Sequence, residues 1–178
     1  LAADAAAAAS FLRRRKEVDP RKVGFWGISE GGWVAPIAAA KAGAAFLILV
    51  SAPALSHAEL DFVSWEHILR EEKVSEEEIR AAKGLAAAMM EFARTGRGWE
   101  EVATRMEKAR SKDWFWLTEA GAFNPSSREH WFWTWYKLQL DHDPRPVLRA
   151  LNCPILAIYG AKDITIPEVN RHTLEQAL

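Results

Sequence analysis

A serine between two glycines, set where an apolar run meets a helix pattern, narrows the fold more than any other feature of this chain. Residues 22–26 read Lys-Val-Gly-Phe-Trp, short and apolar with turn signals on each side, as a buried strand does. Residues 27–32 form a tight turn, and 33–42 return to helix formers with Gly43 as the stop. Pro36 belongs to the first turns of that helix or bends it. Residues 45–50 make a second buried strand. Upstream, the alanine-rich stretch 1–18 is a helix that ends at Asp19-Pro20, because a residue before proline avoids the helical region. Helix, strand, helix, strand in this order calls for parallel strands joined by right-handed crossovers, an α/β fold.

The pattern then changes. Residues 57–136 hold no clear strand. Residues 60–72 are amphipathic, and Ser75 with Glu78 three places on forms a capping box that starts a helix reaching about Arg94. Gly96-Arg97-Gly98 interrupts, and 99–110 resume the helical pattern. The stretch 57–143 therefore reads as a helical insertion, too long for a loop. Asp143-Pro144-Arg145-Pro146 marks the return. Residues 154–159 (Pro-Ile-Leu-Ala-Ile-Tyr) are a third buried strand, 160–163 its following loop, and 167–178 a closing helix. The expected organisation is an α/β core over 1–56 and 144–178, with a helical, tryptophan-rich cap over 57–143.

Charge excludes several classes of partner. With 23 basic and 24 acidic residues, the formal net charge of -1 gives no electrostatic case for nucleic acid or an anionic membrane. Arg13-Arg14-Arg15-Lys16 reads as a solvated helix face. The single cysteine, Cys153, excludes an intrachain disulfide. No run approaches the roughly 18 apolar residues of a membrane span. A cytoplasmic location is the expectation.

The serine motif carries chemistry. Gly27-Ile28-Ser29-Glu30-Gly31 fits G-x-S-x-G, the turn on which a serine is held above a sheet in a strained conformation. Side chains two residues before and after would collide there, which accounts for Gly27 and Gly31. The following helix points its N-terminus at the serine and favours negative charge. The N–H of Glu30 is placed to donate to an oxyanion.

The segment 23–40 (Val-Gly-Phe-Trp-Gly-Ile-Ser-Glu-Gly-Gly-Trp-Val-Ala-Pro-Ile-Ala-Ala-Ala) resembles the nucleophile segment of α/β-hydrolases. It is closest to esterases and to members related to prolyl oligopeptidase and serine aminopeptidase. Residues 152–167 resemble the late strand and acid loop of that superfamily, and 141–151 its run-in. The resemblance covers most of 1–55 and 141–178, and an insertion between them is the cap or lid in such enzymes. It implies Ser29 as nucleophile, Asp163 as the acid that supports a histidine, and an acyl-enzyme that water hydrolyses, with no cofactor. The substrate is then a small ester or a short peptide.

The histidine departs from the pattern. The chain order should be Ser, Asp, His. Of His57, His67, His130, His142 and His172, only His172 follows Asp163, and it lies in the closing helix. The base is expected beyond Leu178, and the second oxyanion donor and the early strands before Leu1. The chain reads as an internal fragment, nearly inactive alone. Asp141-His142-Asp143 is polar, but nothing else has ligand spacing, and no metal site is expected.

Nine tryptophans are present, seven of them between Trp65 and Trp135. They pack a cap against a core or wall an acyl or aryl group. Trp26 and Trp33, beside the turn, are expected to pack the sheet. A carboxylic ester hydrolase is the first reading. A serine peptidase or aminopeptidase shares the same turn, and Glu30 would suit a substrate amine. A member that keeps the scaffold and binds without catalysis is the third.

Overall fold

The structure, a computed structural model, describes every residue from Leu1 to Leu178. The chain divides into two compact units, Leu1–Leu55 with Asp143–Leu178, and Ser56–His142.

The first unit is built on three parallel strands in the order β1-β2-β3: β1 Phe25–Ile28, β2 Leu47–Val50 and β3 Ile155–Ile158. Register aligns Phe25, Leu47 and Ile155, and at the far end Ile28, Val50 and Ile158. Helix α1 (Ala2–Leu12) packs on α2 (Gly31–Ala42), and α2 packs on β1 and β2. The helices of the return segment, α8 (Arg145–Arg149) and α9 (Val169–Ala177), complete the layer. Below the sheet, Leu47 and Leu49 meet Ala35 and Ala39 of α2, with Leu148, Leu174 and Ala177. Small residues on α2 let the helix lie close to the strands. Asn170, fully buried, ties α9 to the segment after β2: its Oδ1 accepts from the N–H of Ala54 at 3.0 Å and of Leu55 at 3.4 Å.

Three sequence readings are corrected here. The strands are not buried on both faces: Trp26, Ile28, Leu156 and Ile158 are exposed, because the helices of this unit lie on the opposite side. The first helix stops at Leu12, so the basic run is not a helix face. Arg13 instead donates to the carbonyls of Ala42 at 2.6 Å and Gly43 at 2.8 Å, placing a cation at the C-terminus of α2. Trp26 is exposed, whereas Trp33 is buried and donates its indole N–H to the Leu55 carbonyl at 2.9 Å.

The second unit is helical: α3 His57–Glu71, α4 Glu76–Thr95, α5 Trp99–Ala109, α6 Glu119–Phe123 and α7 Trp131–Gln139. Its own core takes Ile79, Leu85 and Met89 from α4, Val102 and Met106 from α5, and Phe132 and Tyr136 from α7. Trp65, Trp114 and Trp133 are buried inside this core, and Phe92, Trp99 and Trp133 meet edge to face or tilted. Of the tryptophans spaced by two, Trp131 is exposed and Trp133 buried, as a helix requires. At Ser75 the side chain accepts from the Glu78 N–H, as the sequence predicts. The reciprocal capping box forms one helix earlier, at Ser56 and Glu59, where the Glu59 carboxylate accepts from the Ser56 N–H at 2.8 Å. No helix is long and apolar enough to cross a membrane.

Candidate functional site

Ser29 sits between the end of β1 and the start of α2, with φ of +51°. This is the left-handed region, which costs a side-chain-bearing residue about 1–2 kcal/mol. The turn is pinned from both sides. The Ser29 N–H donates to the Val50 carbonyl at 3.2 Å, extending the β1–β2 ladder by one residue, and the Ser29 carbonyl accepts from Gly32 at 2.7 Å. The side chain is exposed. The Glu30 N–H takes no part in the backbone bonds of the turn, and the Glu30 carboxylate is exposed beside it.

Crowding falls on Gly27 and Gly32. A Cβ on Gly27 would lie 2.3 Å from the Gly31 carbonyl oxygen, and one on Gly32 2.5 Å from the Ala52 Cβ. A Cβ on Gly31 would meet nothing within 4 Å. The collision argument thus holds at Gly27 and transfers from Gly31 to Gly32. A small residue at Gly32 lets α2 approach the segment after β2, a contact that no pattern within the motif signals.

Asp163 lies in the loop after β3. Because the strands are parallel and adjacent, Ser29 and Asp163 follow the same, carboxyl edge of the sheet, with β2 between them. Asp163 Oδ1 accepts from the N–H of Thr165 at 3.0 Å and of Ile166 at 2.9 Å, so one carboxylate oxygen shapes the turn. Oδ2 is left for another donor. Just before the loop, Tyr159 donates to the Ala52 carbonyl at 2.8 Å, and burial pushes its phenol up to about 12.

His172 is exposed on α9, and its ring faces Glu168, the residue capping that helix, at 3.7 Å and Glu175 of the helix at 3.6 Å. The structure does not join it to Ser29 or Asp163. His142, flanked by Asp141 and Asp143, gathers no metal-type cluster: Asp141 is held by Arg94 and Asp143 by Arg145, which keep both carboxyls below their usual range.

The second unit holds two features that the sequence reading passed over. A cavity of about 630 Å³ between α4 and α5 is lined by Glu78, Glu101, Arg105, Lys112 and Trp114, among others. A titratable cluster brings His57 and Asp61 of α3 to Glu119 of α6. Burial, and then the neighbouring Glu119, push the Asp61 carboxyl well above the usual carboxylate range, while His57 and the Tyr136 hydroxyl act in the other direction. The pair His57 and Asp61 was legible as i, i+4 on one helix face. Glu119, distant in sequence, was not.

A parallel sheet in which an exposed serine is strained into the turn between strand and helix defines the α/β class of serine hydrolases. Residues 1–89, half of the chain, match the sequence profile of the prolyl oligopeptidase family. The chain belongs to that family. Neither the curated proteins nor the solved structures give a match.

Proposed function

We propose that this chain carries the nucleophile and acid of a serine hydrolase that works through an acyl-enzyme. Ser29 attacks a carbonyl carbon, the Glu30 N–H donates to the developing oxyanion, and Asp163 orients the histidine that takes the serine proton. The observation that carries this reading is the left-handed backbone of Ser29 at the carboxyl end of β1. Such strain, held by the Val50 and Gly32 hydrogen bonds, is what projects a hydroxyl above a sheet. The base is not assigned, since the ring contacts of His172 lie on α9 and its N-cap. Ser56–His142 serves as the cap.

Membership in the prolyl oligopeptidase family favours a short peptide as substrate. A carboxylic ester is the second reading, since esterases use the same strand–serine–helix turn. Treating the full-length gene product with a fluorophosphonate probe and locating the adduct by mass spectrometry tests the nucleophile. An adduct on Ser29 that disappears in Ser29→Ala is the expected result; a full-length protein that stays unlabelled, or is labelled elsewhere, would reject it. Turnover of an aryl acetate against a prolyl aminoacyl amide then separates ester from peptide.

A further inference from the structure

The second unit buries a carboxylate, Asp61, beside the imidazole of His57. Asp61 is 4% exposed, and the groups that act most on it are Glu119, His57 and Tyr136. A carboxylate buried among aromatic rings next to a second, partly exposed one is costly unless positive charge joins them, from a protonated imidazole or from a bound ion. The arrangement suits an ion. His57 Nε2 stands 3.4 Å from Glu119 Oε2 and 3.5 Å from Asp61 Oδ1. Three such atoms around a tetrahedral ion, each about 2.0–2.1 Å from it, would be about 3.4 Å apart. Two edges of the triangle already have this length, and all three ligand atoms lie within 4.8 Å of one another.

The surroundings fit as well. The Tyr136 hydroxyl donates to Asp61 Oδ2 at 2.5 Å, which fixes that carboxylate and leaves Oδ1 turned to His57. The edges of the Trp135 and Tyr136 rings confine the imidazole. His57 and Asp61 are nearly closed to solvent, whereas the Glu119 side chain is 33% exposed and leaves an entry path and room for a water ligand. Ser56 and Glu59 cap the start of α3 in a reciprocal box, so His57 and Asp61 are presented by a fixed helical turn.

We infer that His57, Asp61 and Glu119 form a binding site for one divalent transition ion of the zinc type, pinning α3 to α6. One nitrogen and two oxygen ligands select Zn²⁺ or Mn²⁺ over softer ions. The site lies within Ser56–His142 and stands whether or not Ser29 is a nucleophile.

The test uses the 178-residue chain stripped with EDTA and titrated with zinc chloride at neutral pH, read by calorimetry and by thermal unfolding. One equivalent should bind and raise Tm. Glu119→Gln, at the partly exposed ligand, should weaken binding at least tenfold while leaving the helical circular dichroism intact. His172→Ala, on α9, should change neither. Asp61→Asn should behave as Glu119→Gln does, with the Tyr136 contact retained. Failure to bind zinc, or binding that survives Glu119→Gln and is lost in His172→Ala, would overturn the site. So would a Tm that zinc leaves unchanged but Glu119→Gln raises, since the cluster would then hold a proton between its carboxylates.

Discussion

Ser29 pays for its position in conformational strain, and that strain can be measured apart from any activity. Glycine adopts a φ of +51° at no steric cost. Ser29→Gly should therefore stabilise the chain by up to about 1 kcal/mol in urea unfolding, while abolishing active-serine labelling of the full-length gene product. A destabilised Ser29→Gly would mean that the hydroxyl, not the backbone, holds the turn. The two glycines of the motif separate in the same assay. Gly27→Ala forces a Cβ against the Gly31 carbonyl and should cost about 1–3 kcal/mol. Gly31→Ala enters open space at the first position of α2, where alanine is the better helix former, and should be neutral or mildly stabilising. Equal losses at both positions would show that the motif is tight throughout. The motif itself was legible because local chemistry writes it: a strand, a turn and a helix within a few residues. The Gly32 contact was not, since Ala52 comes from a different strand's end.

Elements were legible where their signals are local. Gly43 stops α2 at φ of +64°, and Ser75 caps α4. Alanine content alone overextended the first helix, because Arg13 finds better acceptors on α2 than another helical turn would give. At β3 the pairing of strand and loop has a consequence for pH. Tyr159 closes the strand, bonded to the Ala52 carbonyl, with its phenol raised to about 12 against the ordinary 10.0. Between these values the unfolded chain has lost the proton and the folded chain keeps it. The folded state binds more protons there, so stability falls as pH rises through that window and is fully present below it. Urea midpoints should decline from about pH 10 upward, and Tyr159→Phe should flatten that decline. The substitution also removes one hydrogen bond, lowering stability at neutral pH by about 1 kcal/mol. Tyr136, whose phenol is also raised by burial, contributes to the slope that remains, and an unchanged slope in Tyr159→Phe would deny Tyr159 its part.

At the scale of the whole chain, an α/β pattern and a helical insertion could be read from periodicity, but the coverage of the sheet could not. A short apolar strand looks the same in sequence whether one face or both are packed. Here Trp26, Ile48 and Leu156 lie side by side across the three strands, and Ile28, Val50 and Ile158 form the next row. Trp26 at 61%, Ile28 at 49%, Leu156 at 55% and Ile158 at 48% exposure make this a contiguous apolar face on water. Monomeric proteins rarely show such patches without a partner for them. The chain should therefore bind an apolar dye such as anilinonaphthalene sulfonate while fully folded, and should self-associate as its concentration rises in sedimentation. Trp26→Lys with Leu156→Lys should reduce both effects. Their side chains stand on the face away from Leu47, Leu49 and the α2 alanines, so the unfolding midpoint should move little. Dye binding that persists undiminished in the double variant would place the sticky surface elsewhere, with exposed Trp116 and Trp131 of the helical unit the next residues to change.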